Sequence, residues 1–255
     1  MKKYRLAFMV LLLSGTAQSP LFAGVSLNKT RLIIPEISRE SGVRVLNEGK
    51  SPVLIQSWID AGDSNLRPEE IVAPLIITTP MFRLEAGAAQ LMRILLIAKP
   101  AQLPTDQESV FWLNVQEIPQ QLALEPQDNN EQYIQIAFRT RIKIFYRPQK
   151  ISTDPNLLHQ QLRFTLVEQD GKTFLQAQNP TPIHITLQQV LLGTNREDPA
   201  AVGVLTDGMV GPQSTRLIPL RDIRHTLNKE TLVYYQVLDD YGQSIERQQN
   251  LSDTE

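Results

Sequence analysis

The chain has 255 residues, 42% of them hydrophobic, no cysteine, and a formal charge of −2. A nucleic-acid partner selects a basic surface, so this balance argues against one. The missing cysteines exclude thiol catalysis, thiolate metal sites and disulfides, so an exported protein of this kind relies on burial alone.

The first segment supplies the reason to expect export. Lys2, Lys3 and Arg5 precede an apolar run, Leu6–Leu13, and Ala23 stands before Gly24. That order predicts a secretory signal peptide over residues 1–23, cleaved after Ala23. The run is shorter than the ~20 residues that span a bilayer. Cleavage removes three basic residues and no acidic one, taking the formal charge from −2 to −5.

Strand-like segments then follow in series at 25–34, 42–49, 52–60, 74–80, 90–98 and 110–118. Asn47-Glu48-Gly49, Gly62-Asp63, Pro68, Pro80, Gly87, Pro100 and Pro104 separate them. The seventh is the most informative. From Ile134 to Tyr146 the even positions read Ile, Ile, Phe, Thr, Ile, Ile, Tyr, and the odd ones Gln, Ala, Arg, Arg, Lys, Phe. This is a period-2 strand with two unlike faces. At about 3.3 Å per residue it spans roughly 40 Å, longer than one sheet needs. Seven strands at this spacing, with Trp58 in the third, predict an antiparallel sandwich of immunoglobulin type.

After Pro148 the pattern repeats in a more polar form. Residues 161–180 predict a hairpin around Asp170-Gly171. Strands follow at 183–192 and 214–220, and a hairpin over 231–249 turns at Asp240-Tyr241-Gly242. Polar and proline residues concentrate in 148–158, which places a domain boundary there.

Chemistry-bearing residues are sparse. His159, His184 and His225 are far apart and in no metal-ligand spacing. His184 lies in an alternating strand and reads as a surface or edge residue. Glu69-Glu70 and Asp239-Asp240 fall in turns, where acids are usual. Catalytic residues, a metal and a cofactor are all expected to be absent. Trp58 and Trp112 are expected to be buried, and Arg139 and Arg141 to form a solvated face. Lys143 is different, being flanked by Ile142 and Ile144, and Arg31 is a second isolated cation ahead of Leu32-Ile33-Ile34. First and last strands of such a sandwich can lie side by side. Two adjacent cations repel unless an anion joins them, so the pair is a candidate carboxylate site.

The blocks "GVSLNKTRLII", "VLIQSWID", "TPMFRL", "LPTDQESVFWLNVQEIP" and "FRTRIKIFYRP", then "NPTPIHIT" and "LDDYG", resemble the periplasmic pilus-assembly chaperones of the chaperone–usher pathway, the PapD-like family. They come in the family's order and near its spacing. The resemblance implies an all-β fold, two immunoglobulin-like β-sandwich domains in an L or boomerang, with domains at 24–148 and 149–255. It implies binding of pilus or fimbrial subunits that lack their last strand, and delivery to an outer-membrane usher. Ile134, Ile136 and Phe138 correspond to the side chains lent to the subunit, each contributing about 1.5–3 kcal/mol on burial. Arg31 and Lys143 correspond to the anchor of the subunit's terminal carboxylate. Glu108, Arg147 and Asp240 correspond to an ionic cluster bracing the two domains, with Asp239 an adjacent competitor. An exposed apolar strand also predicts self-association of the free chaperone.

The chain departs from the family pattern at Thr79-Pro80-Met81 and at Asp106-Gln107-Glu108. Its connection 119–131 is longer than in short-loop members, yet the disulfide usual in long-loop members is missing; the absence of cysteine favours the short-loop class. Leu122 and Leu124 fit either extra lent residues or loop packing. The competing reading is a secreted two-domain β-sandwich with a structural or carbohydrate-binding surface role, which requires an exposed aromatic patch.

Overall fold

Alternation decides the architecture. On β9 (Arg139–Arg147) Ile142, Ile144 and Tyr146 are buried in the core, while Arg139, Arg141 and Lys143 face outward. In this computed structural model residues 24–65, 67–71, 73–97, 102–120, 136–151, 154–224, 227 and 230–252 are described.

The first domain holds β1 (Val25–Leu27), β2 (Arg31–Pro35), β3 (Glu40–Asn47), β4 (Val53–Asp60), β5 (Leu75–Ile77), β6 (Met81–Leu84), β7 (Ala89–Leu96), β8 (Ser109–Pro119) and β9. One sheet runs β1-β3-β7-β5 and the other β2-β9-β8-β4-β6. Between them lie Leu32, Ile34, Val43, Val45, Ile55, Met92, Ile94, Leu113, Ile144 and Tyr146.

The single strand expected over 25–34 is two. At Asn28 the chain leaves the first sheet: the Asn28 amide donates to Arg44 O and its side chain accepts from Arg44 N, 2.8 Å. Asparagine thus closes one pairing, and the chain resumes as β2 beside β9 in the other sheet. β6, a strand beyond the expected seven, follows the Thr79-Pro80-Met81 turn, where Pro80 O accepts from both Ser57 N and Ser57 Oγ.

The second domain holds β10 (Arg163–Gln169), β11 (Lys172–Asn179), β12 (Ile185–Gly193), β13 (Ala201–Gly203), β14 (Met209–Val210), β15 (Ser214–Arg221), β16 (Leu232–Leu238) and β17 (Ser244–Asn250). They link as β10-β11-β15-β13-β12-β16-β17, with β14 on β12. Their inward side chains, Phe164, Leu175, Val190, Ile218, Val233 and Tyr235 among them, form a second core. The predicted β10–β11 hairpin turns through positive φ at Asp170 and Gly171, the two-residue turn that matches strand twist. The short β13 and β14 and the one-turn helix α1 (Pro155–Leu158) were not expected; α1 is capped by the Asp154 side chain, which accepts from Asn156 N. The molecule is all-β, with two immunoglobulin-like sandwich domains.

Candidate functional site

The outer face of the β2-β9-β8-β4-β6 sheet carries the chemistry, and register places it. β2 runs parallel to β9 and pairs Arg31 with Lys143, so both cations stand on one face, side by side. β2 begins at Arg31. Among the described residues β9 therefore has β8 on one side from Arg139 to Tyr146 but no strand on the other side from Arg139 to Ile142. The β8 side extends further, since Glu117 N donates to Phe138 O.

Neither cation is well served. Arg31 is 91% buried as a residue (9% exposed), its Nη1 reaches Leu238 O only at 3.5 Å, and its Nε has no partner among the described residues. Burial pushes its guanidinium down and outweighs the fields of Asp240, Asp239 and Glu108. Burial likewise pushes Lys143 down; Asp207 opposes the shift, while Arg31, Arg216 and Arg141 add to it. Such a pair is stabilised by an arriving anion.

Of the expected apolar residues, Ile136 and Phe138 are 60% and 53% exposed. They precede β9 rather than belonging to it, which shortens the strand expected from Ile134. Ile134, Leu122 and Leu124 lie outside the described residues.

Glu108, Arg147 and Asp240 lie in contact. Arg147 Nε donates to Glu108 Oε1 at 2.6 Å, and its two terminal nitrogens donate to the two Asp240 oxygens at 2.6 and 2.8 Å. This bidentate pairing joins the end of β9 to the β16–β17 turn. Burial alone would lower the Arg147 pKa, but Asp240 and Glu108 outweigh it and hold the guanidinium above its ordinary value. Asp239 does not compete: its Oδ1 accepts from Tyr241 N and Gln243 N within the turn. The turn also sits close against the first domain. Gly242 has φ +83°, and a Cβ there would lie 2.1 Å from Thr30 Oγ1.

Three expectations are corrected. His184 is neither surface nor edge: its side chain is 7% exposed, its amide donates to Glu108 Oε2 at 2.8 Å, and its ring lies 5.4 Å from that of Phe145. Alternation turns it away from its own core, but outward here means into the junction between domains. Arg141 is not solvated. It pairs with the buried Asp60 at 2.5 Å and lies 4.7 Å from the Trp112 ring. Trp58 and Trp112 are half-buried on the outer face, Trp58 with Arg139 over it at 5.7 Å. Arg139 itself is exposed, as expected. Each ring has an arginine over it, which does not suit the aromatic patch that a sugar-binding reading requires.

Asp60 also accepts from Asn114 Nδ2 and Gly62 N. Burial pushes its carboxyl up, but Arg141 and these donors outweigh it and hold it below the ordinary aspartate value. A depressed folded-state pKa adds stability that is present above the unfolded value of about 3.9 and is lost as pH falls through the folded value. Acid unfolding of the wild type should therefore show a component below pH ~4 that Asp60→Asn lacks; identical acid limbs would remove Asp60 from that role.

Two family models match this layout. "Pili and flagellar-assembly chaperone, PapD N-terminal domain" covers residues 24–152, and "Pili assembly chaperone PapD, C-terminal domain" covers 158–249. The chain belongs to the PapD family of pili-assembly chaperones. It is 32% identical to the probable fimbrial chaperone YadV of Escherichia coli K12, over 88% of each chain. It is 34% identical to the chaperone protein FimB/FhaD of Bordetella pertussis, over 86% of this chain and 85% of that one. The crystal structure of the Pseudomonas aeruginosa CupB2 chaperone superposes with a TM-score of 0.70 at 30% identity, covering 89% of this chain and all of that one. Fimbrial chaperones of the PapD family are periplasmic, and the family's role is a chaperone's, not an enzyme's.

Proposed function

We propose that this PapD-family chaperone captures a pilus subunit lacking its last strand, lends it the segment Ile134–Phe138 and the open edge of β9, and passes it to an outer-membrane usher. The observation that carries the reading is the half-open edge of β9, which ends where Arg31 faces Lys143. A strand added there receives main-chain hydrogen bonds from β9, while alternate side chains from the lent segment fill its groove. Electrostatics selects its direction. Running parallel to β9, in line with β2, it ends with a carboxylate against two cations; running antiparallel, it would begin there with an ammonium.

In this reading residues 1–23 are a signal peptide removed after Ala23, residues 24–148 form the domain that lends the strand, and residues 149–255 form the second domain. Glu108, Arg147 and Asp240 brace the two, and no residue acts catalytically. Free molecules self-associate through the same apolar segment.

The test is co-purification of a co-expressed pilus subunit from periplasmic extracts. Arg31→Ala and Lys143→Ala are each expected to weaken capture about ten- to hundredfold, the loss of one charge-assisted hydrogen bond of ~1.5–3 kcal/mol. Undiminished capture by both variants would remove the anchoring role.

A further inference from the structure

Lys143 has a neighbour in the second domain that the capture mechanism does not use. Its Nζ lies 3.4 Å from the carbonyl oxygen of Asp207, in the turn between β13 and β14. This turn is held firmly. Asp207 Oδ1 accepts from Met209 N at 3.1 Å and pairs with Arg216 at 2.5 Å. Arg216 also donates to Met209 O and Thr206 Oγ1. Leu187 N donates to Gly208 O, and at Gly208, with φ +64°, a Cβ would lie 1.9 Å from Leu187 O. Only glycine lets the turn approach β12 so closely.

The charged groups that face Lys143 come from four elements: Arg31 on β2, Arg141 on β9, Arg216 on β15, and Asp207 in the turn. Three are cations, and Asp207 is the acid among them. An anion entering the anchor meets the attraction of Arg31 and Lys143 and also the repulsion of the Asp207 carboxylate, itself partly offset by Arg216.

We propose that Asp207 is a built-in counter-ion of Lys143: it supports the ammonium in the empty chaperone, competes with the client's terminal carboxylate, and so limits how tightly a client is held. The inference rests on the strand-capture reading and adds a second-domain residue to it. A chaperone that must release its client has reason to keep the anchor from being saturated by charge.

Two variants should act with opposite signs. Asp207→Asn keeps an acceptor for Met209 N but removes the competing charge; Arg216→Met leaves that charge less neutralised. The probe is a ten-residue peptide of alternating valine and threonine behind two lysines, labelled at its N-terminus. It is made once with a free C-terminal carboxylate and once as the amide, and binding is read by fluorescence anisotropy. Asp207→Asn is expected to raise the acid-over-amide preference about three- to tenfold, and Arg216→Met to lower it, in low-salt buffer where such fields act. An unchanged preference in Asp207→Asn, or a shift of the same sign in both variants, overturns the proposal. If neither peptide binds the wild type, the strand-capture reading falls. The counter-ion is then judged on the free chaperone, by NMR titration of carbon-13-labelled lysine. Asp207→Asn must lower the Lys143 pKa, and an unmoved value overturns the proposal.

Discussion

Ile136→Asp is expected to abolish subunit capture and leave the chaperone folded. Ile136 is 60% exposed and lies ahead of β9, outside the core that Ile142, Ile144 and Tyr146 share with the facing sheet. An aspartate there costs the free protein nothing in its own packing. In a client's groove it costs twice. The apolar burial is lost, about 1.5–3 kcal/mol, and a carboxylate without a partner must be desolvated, a further cost of several kcal/mol. Together these amount to at least a thousandfold loss of affinity, on the order of 4 kcal/mol or more. Co-purification measures the capture, and a thermal melt measures the fold. A variant that fails to fold would assign Ile136 to the chaperone's own core. The same substitution bears on self-association: wild type should elute later on dilution, and Ile136→Asp should be monomeric throughout. A wild type that stays monomeric at high concentration ends the self-association claim without touching capture.

Much of this site is legible in the residues because a strand's period is 2. Alternation in "FRTRIKIFYRP" puts Ile142, Ile144 and Tyr146 inside and Lys143 outside, and β9 has those faces. The turns at Asp170-Gly171 and Asp240-Tyr241-Gly242 are legible because backbone with positive φ selects a few residue types. What alternation does not carry is the destination of the outward face. His184 and Arg141 both point away from a core, yet one enters the junction with Glu108 and the other meets Asp60, 81 residues distant in sequence. The sheet switch at Asn28 is hidden for the same reason: residues on either side remain strand-like, and only the identity of the neighbouring strand changes. Asp207 is hidden for a different reason: Asp207-Gly208 reads as ordinary turn chemistry, and nothing in the turn's own residues shows that Lys143, 64 residues away in sequence, lies against it.

Arg147→Met is expected to be the most damaging single change at the junction, destabilising the protein by about 3–5 kcal/mol. The reason is Glu108, not Asp240. The Glu108 side chain is 1% exposed and loses its one guanidinium partner, while Asp240, at 30%, can turn to solvent. What remains for Glu108 is the His184 amide at 2.8 Å and the His184 ring at 3.3 Å. Two donors leave a buried carboxylate undercompensated. Asp240→Asn should cost much less, about 1 kcal/mol, because Arg147 keeps Glu108 and the asparagine still accepts one hydrogen bond. Glu108→Gln combined with Arg147→Met should recover part of the loss, since the buried charge is then gone from both sides. Denaturant unfolding of the three variants gives the order. Equal losses in Arg147→Met and Asp240→Asn would mean that the bridge to the second domain, rather than the buried glutamate, carries the energy. The two outcomes also differ at the anchor. The β16–β17 turn that Asp240 holds follows Leu238, whose carbonyl meets Arg31, and its Gly242 abuts Thr30. Asp240→Asn should therefore weaken client capture more than its small effect on stability implies.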